Sequence, residues 1–179
     1  MPARRTLVTG GVRSGKSTRA ESLLTQEVSV TYVAPGQLPD PVADAEWAER
    51  VALHQARRPA HWKTVETVEV AAAVSAAPGA VLLDCLGTWV TAVMDQLQGW
   101  ERPTGQWRPE FDARVRDLAT AWRLAPGPLV AVTNEVGMGV VPEHRSGRLF
   151  RDLLGTVNQQ IAAVSDDVLL VIAGRVLRL

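Results

Sequence analysis

The run Gly10-Gly11-Val12-Arg13-Ser14-Gly15-Lys16-Ser17 satisfies the pattern G-x-x-x-x-G-K-[ST] in full, and no other eight residues constrain this chain as much. It follows a short apolar run, Thr6–Thr9, and opens a helical stretch. That strand–loop–helix context is what the pattern needs to act as a phosphate-binding loop. The glycines let the backbone curl so that successive N–H groups point inward at phosphate oxygens. The helix behind the loop adds the positive end of its dipole. Lys16 is expected to reach the β- and γ-phosphates of a nucleotide, and the Ser17 hydroxyl to ligate Mg²⁺.

The rest of the chain carries the pattern such a loop requires. Val30–Ala34, Val81–Cys85, Leu129–Thr133 and Val168–Ala173 are short apolar runs bounded by Gly, Pro or polar residues, and they predict buried strands. Glu110–Leu124 places Phe111, Val115, Leu118 and Trp122 on one helical face, and Arg145–Val164 does so with Leu149, Leu153, Val157, Ile161 and Val164. Strands alternating with helices imply βαβ units and a sheet covered on both faces. The fold class is therefore α/β: a P-loop NTPase-type, RecA-like, mostly parallel sheet flanked by helices. Arg175–Leu179 is expected to add an antiparallel edge strand after a turn at Gly174. Pro35–Pro41 is expected to be a loop, and Gly99–Pro109 a surface excursion. A chain of 179 residues suits one domain, spanning residues 1–179.

Composition narrows the function classes. With 46% hydrophobic and 21% charged residues, disorder is excluded for the bulk of the chain. Nineteen basic residues balance nineteen acidic ones, so no global positive field holds nucleic acid or an anionic membrane. Cys85 stands alone, which rules out an intrachain disulfide or a thiolate cluster. The apolar runs are too short to cross a bilayer, and the N-terminus lacks the apolar region of a signal peptide. A cytoplasmic location without stable membrane insertion is expected.

A second metal anchor is expected at Asp84, which ends the apolar run Val81–Leu83 where ligands bind in open parallel sheets. The competing reading makes Asp84 the cap of a following helix. Cys85 reads as a buried core thiol. No N-K-x-D sequence is present, so guanine is not read as in switch GTPases. Asn134 and Glu135 end the strand at Thr133; metal ordering, hydroxyl activation and bonding of a loop are all open to them. Arg145, Arg148 and Arg151 form a stripe that faces either an anion or solvent. His54 shares a helical face with Trp47 and Val51, and taken alone it reads as a packed histidine at a helix end.

Three segments together carry a resemblance: Gly10–Ser17; His54…Arg58-Pro59-Ala60-His61-Trp62…Glu66; and Val132-Thr133-Asn134-Glu135-Val136-Gly137-Met138-Gly139-Val140-Val141-Pro142-Glu143. Collinear from Leu7 to about Ala173, they resemble the bifunctional adenosylcobinamide kinase/adenosylcobinamide-phosphate guanylyltransferase family of cobalamin biosynthesis. The resemblance implies phosphorylation of adenosylcobinamide with ATP or GTP. It then implies transfer of GMP from GTP, through a covalent GMP–histidine intermediate, to give adenosylcobinamide-GDP. The histidine of that intermediate matches His54. Nucleotide binding falls on Gly10, Gly11, Val12, Arg13, Ser14, Gly15, Lys16 and Ser17, on Ala34, Pro35 and Gly36, on Gln55, Ala56, Arg57 and Arg58, and on Glu66 and Asp84. Relatives often carry a second histidine just before the nucleophile; here the position is Leu53. His61 falls in the matching motif and reads as a supporting residue. Relatives assemble as trimers.

The chemistry agrees with these residue types. A neutral imidazole is a competent nucleophile near pH 7. Lys16, Mg²⁺ and the loop amides can stabilise the pyrophosphate expelled by attack on the α-phosphorus. The Glu66 carboxylate can accept from guanine N1–H and from the exocyclic amine. Two other readings remain at this point: a P-loop kinase of another small metabolite with a structural His54, and a nucleotide-binding regulatory module without turnover. Only the two-step kinase and guanylyltransferase produces a covalent nucleotide adduct.

Overall fold

The computed structural model describes residues 4–36 and 45–179. In chain order the elements are β1 (Arg5–Gly10), α1 (Lys16–Ser22), β2 (Val30–Ala34), α2 (Ala45–Arg57), β3 (Lys63–Glu66), α3 (Val70–Ala76), β4 (Ala80–Asp84), α4 (Leu86–Gln96), α5 (Arg108–Leu124), β5 (Leu129–Val132), α6 (Arg145–Ala163), β6 (Asp167–Ile172) and β7 (Arg175–Arg178). The strands form one sheet in the order β3-β2-β4-β5-β1-β6-β7. Every neighbouring pair is parallel except β6–β7.

Strand alternation divides the core into two layers. Leu7, Val33, Val81, Leu83, Leu129 and Ala131 face one side, where they meet Val74 of α3, Val90 of α4, Phe111 and Trp122 of α5, and Val157 of α6. Val8, Tyr32, Leu82, Val130, Val132 and Val171 face the other, against Ala20 of α1, Leu24 and Trp62. Both faces are thus buried, which is why the strands read as continuous apolar runs. Among the described residues no helix is long and apolar enough to cross a membrane.

The five strands expected from the apolar runs are present, with ends shifted by one residue or so, and β7 pairs antiparallel as expected. Its turn is a two-residue reversal with left-handed backbone at Ala173 (φ 49°) and Gly174 (φ 76°), the geometry that suits a right-twisted hairpin. One expectation needs correction. The Gly99–Pro109 segment is not simply a surface excursion: Trp107 is buried, stacks edge-on against Phe111, and donates through Nε1 to Arg102 O at 3.3 Å. The segment tucks an anchor into the core because an indole buries more apolar area than a polar loop can forgo. Lys63–Glu66, for which the sequence offers no apolar run, pairs with β2 as the edge strand β3. Of the expected loop Pro35–Pro41, residues 37–41 lie outside the described residues.

Candidate active site

Strand β1 lies between β5 and β6, and its carboxyl end is where the phosphate loop begins. The loop's shape is set by close approaches. A Cβ on Gly10 would lie 2.4 Å from Val171 O and 2.7 Å from Ser14 Oγ, so only glycine fits beside β6. Arg13 (φ 56°) and Gly15 (φ 95°) take left-handed backbone and turn the chain into α1. The β6–β7 turn braces the loop from the far side, with Gly174 N donating to Ser14 O at 2.9 Å. Gly11, Val12 and Arg13 are exposed, whereas Ser14 is buried. Lys16 begins α1 and its Nζ donates to Gly11 O at 3.0 Å, so the ammonium already leans across the loop.

Asp84 ends β4, in register with Val132, which is itself in register with Val8. The carboxylate therefore stands two strands from the phosphate loop, at the same end of the sheet. It does not cap α4. That role belongs to Cys85, whose Sγ accepts from Thr88 N at 3.4 Å. Burial, and then the negative charge of Asp84, push the Cys85 thiol up, so it stays a neutral thiol. Asp84 Oδ2 instead accepts from the Tyr32 hydroxyl at 3.0 Å.

A hydroxyl at Ser17 and a carboxylate at Asp84 are hard oxygen donors, the set that suits Mg²⁺. Among the described residues no group of three or more His, Cys, Asp and Glu is placed to cage a metal alone. Substrate phosphates and water would have to complete the coordination, which is how Mg²⁺ is usually held.

The second region lies toward β3. Gln55, Arg58, Pro59, Ala60, Trp62, Thr64 and Glu66 line an open cleft of about 410 Å³. Glu66 is the exposed last residue of β3, in register with Ala34 at the end of β2, and Thr67 N donates to Ala34 O at 3.1 Å. The Arg58 guanidinium carbon lies 3.4 Å from the centre of the Tyr32 ring, and Nη1 donates to Thr64 Oγ1 at 3.2 Å. Two buried donors on residues of this cleft, Arg58 Nε and Trp62 Nε1, have no hydrogen-bond acceptor among the described residues. Buried donors of this kind are rare without a partner, and here both belong to side chains that line open space. His54 lies in the last turn of α2, just ahead of Gln55 and Ala56, which are exposed. The side chains of His54 and Arg57 lie outside the described residues, as does that of Trp47. His61 is exposed in the turn before β3 and does not line the cleft.

Glu66 and the phosphate loop lie at the same, carboxyl end of the parallel sheet, but β3 is four strand positions from β1. At the usual inter-strand spacing that is roughly 19 Å. A guanine read by Glu66 and a triphosphate held by Lys16 therefore require an extended nucleotide lying across the carboxyl ends of the strands.

The remaining candidates are occupied by the fold. Glu135 N donates to Gly10 O at 3.2 Å, and Glu135 Oε1 accepts from Gly137 N at 2.8 Å. Asn134 O accepts from Asn158 Nδ2 at 3.1 Å. Arg145 and Arg148 are exposed and Arg151 is half-buried, and all three donate to backbone carbonyls. Arg145 donates to Trp100 O, Arg148 to Pro142 O at 3.1 Å, and Arg151 to Gly137 O at 2.8 Å. Arg148 and Arg151 hold the backbone of the segment that follows β5, and Arg145 holds that of the segment between α4 and α5. Sequence reasoning missed Tyr32, although a tyrosine in an otherwise apolar buried strand signals that its hydroxyl has a partner.

Residues 6–179 match the family described as cobinamide kinase / cobinamide phosphate guanyltransferase. The chain is 42% identical to the bifunctional adenosylcobalamin biosynthesis protein CobU of Salmonella typhimurium, over 94% of this chain and 95% of that protein. It is 41% identical to CobU of Escherichia coli over the same shares, and 35% identical to CobP of Pseudomonas aeruginosa over 95% of this chain and 94% of that one. Among solved structures it resembles a prototypical ATPase of a bacterial type III secretion system (TM-score 0.59, 12% identity, 94% of this chain and 52% of that one). It also resembles the ATPase EscN of enteropathogenic E. coli (TM-score 0.52, 12% identity, 96% of this chain and 43% of that one). The chain spans about half the length of those ATPases, and at such identity the likeness concerns the fold alone.

Proposed function

The chain belongs to the cobinamide kinase / cobinamide phosphate guanyltransferase family, an enzyme family of cobalamin biosynthesis, and from that premise we propose that one domain, residues 1–179, carries two consecutive nucleotide reactions. In the first, the hydroxyl of adenosylcobinamide attacks the γ-phosphoryl of ATP or GTP, and the nucleoside diphosphate leaves. In the second, an imidazole nitrogen of His54 attacks the α-phosphorus of GTP and pyrophosphate leaves. The phosphate of adenosylcobinamide phosphate then attacks the phosphoramidate, the imidazole leaves, and adenosylcobinamide-GDP forms.

The observation that carries this reading is the cleft of Gln55, Arg58 and Glu66, which begins where the helix bearing His54 ends and reaches, at Glu66, the same carboxyl end of the sheet as the phosphate loop. Gly10–Ser17 would cradle the triphosphate, with Lys16 on its outer phosphates. Ala34, Pro35 and Gly36 would line the path between the regions. Gln55, Ala56, Arg57 and Arg58 would flank the nucleotide, and Glu66 would accept from the guanine edge. Ser17 and Asp84 would hold Mg²⁺, which neutralises phosphate charge when bound. The charge balance and the lone cysteine suit a cytoplasmic enzyme that uses nucleotide pools. By family resemblance the assembly is a trimer.

The test is the position of a label. GTP labelled at the α-phosphate should leave label on the protein, whereas label at the γ-phosphate should not. The adduct should survive alkali and be lost in acid, because protonating the imidazole makes it a good leaving group. Retention of γ-label, or an adduct that is stable in acid, would contradict the reading.

A further inference from the structure

Tyr32 sits in the middle of β2 and is 2% exposed. A phenol so deeply buried needs a hydrogen-bond partner. Tyr32 is in register with Leu82, so Asp84, two residues further along β4, lies on the same face and within reach of its hydroxyl. The hydroxyl donates to Asp84 Oδ2 at 3.0 Å. The ring carries the Arg58 guanidinium at 3.4 Å from its centre. A cation over the ring face draws electron density from the phenol and strengthens the donor at its far end. One side chain thus touches both the cleft and the carboxylate on the phosphate-loop side.

We infer that Tyr32 is a positioning residue that orients the Asp84 carboxylate toward the metal–nucleotide complex through its hydroxyl, and supports Arg58 in the nucleotide cleft through its ring. The inference rests on the reading of Asp84 as a metal-holding residue. It predicts that the two duties separate chemically. Tyr32→Phe keeps the ring under Arg58 and removes the donor to Asp84. Tyr32→Leu removes both.

The probe is Mn²⁺ binding in the presence of a non-hydrolysable GTP analogue, followed by electron paramagnetic resonance, beside analogue binding without divalent ion. Tyr32→Phe should weaken Mn²⁺ binding about tenfold, the usual effect of removing a partner that orients a metal ligand. Metal-free analogue binding should stay at the parental level. Tyr32→Leu should lower both. Asp84→Asn separates the two claims. If it leaves Mn²⁺ affinity unchanged, the metal role of Asp84 fails. If it weakens Mn²⁺ while Tyr32→Phe does not, the positioning role alone is overturned. An equal loss of metal-free binding in Tyr32→Phe would make the effect structural, and would also overturn it. Tyr32 is the only tyrosine in the chain, so fluorotyrosine labels one site in the otherwise intact protein. Its fluorine resonance should shift on adding the analogue with Mg²⁺ beyond the shift with the analogue alone. Identical spectra in the two states would refute the inference without any substitution.

Discussion

Replacing Gly10 by alanine tests whether the phosphate loop is shaped by its packing on β6. The added Cβ would lie 2.4 Å from Val171 O and 3.3 Å from Val171 C, both backbone atoms, and 2.7 Å from Ser14 Oγ. The serine can rotate away, but the carbonyl belongs to a strand paired with β1 from Thr6 to Gly10. Relief therefore requires β6 to move away from β1, or the loop to leave β6. Overpacking of this kind costs about 1–3 kcal/mol, and the φ of 157° at Gly10, which L side chains rarely adopt, adds to it. A loss of about 2–4 kcal/mol should lower the melting temperature by roughly 4–16 °C in a chain of this size. Gly11→Ala is the matched control, because a Cβ there meets nothing within 4 Å. It should be neutral, or slightly stabilising through the unfolded chain. Thermal unfolding by circular dichroism and urea titration should rank the two variants in that order. Melting temperatures within about 2 °C of one another would refute the packing argument, since its expected separation exceeds that.

Other outcomes follow from the same geometry. Lys16→Ala should greatly weaken both transfers, because the reading assigns the triphosphate to one cradle in each; guanylyl transfer that persists beside a lost kinase step would show that the cleft near Glu66 holds its own phosphates. Glu66→Gln should weaken GTP binding by roughly ten- to a hundredfold, the effect of losing about 1.5–3 kcal/mol of charge-assisted hydrogen bonding, and leave ATP binding unchanged in equilibrium titrations. Asp167, whose side chain is 3% exposed, is ion-paired to Arg4 and Arg178, and the hydrogen bond from Arg4 holds its carboxyl below the usual carboxylate range. Its contribution to stability is therefore full above the unfolded pKa of about 4 and is lost as pH falls through the lower folded value. The stability gap between the parent and Asp167→Asn, measured by urea unfolding, should narrow as pH drops below about 4, and a gap independent of pH would contradict the pairing.

The phosphate loop and five strands were legible because buried parallel strands are continuous apolar runs, and because the loop's glycines are fixed by geometry. Strand β3 was not, since an edge strand reading Lys-Thr-Val-Glu exposes three of its four side chains and carries no apolar run. Helix α4 is buried at Leu86, Gly87, Trp89, Val90, Ala92, Val93 and Met94, nearly all round, so it lacks the polar stripe that would have marked it as a helix. The spacing of Arg145, Arg148 and Arg151 showed a shared face, but their acceptors are backbone carbonyls from the segment after β5 and, for Arg145, from the segment between α4 and α5, which spacing cannot reveal. The cap of α4 fell to Cys85 rather than Asp84, because Asp84 turns to the Tyr32 hydroxyl across β2, a contact between strands that are far apart in sequence. Within the site, the cradle could be read residue by residue. The cleft could not, because it is assembled from the end of α2, the following turn and β3.

In the proposed scheme His54 serves guanylyl transfer and not the kinase step. The direct measurement is product analysis of His54→Ala incubated with adenosylcobinamide, ATP, GTP and Mg²⁺, by chromatography with mass detection, after circular dichroism and a melting curve have matched the parent. Adenosylcobinamide phosphate should accumulate, adenosylcobinamide-GDP should not form, and the intact protein mass should gain no GMP. The kinase step needs no protein nucleophile, since the substrate hydroxyl attacks the γ-phosphoryl directly. Adenosylcobinamide-GDP at the parental rate, or a GMP adduct on the well-folded variant, would contradict it.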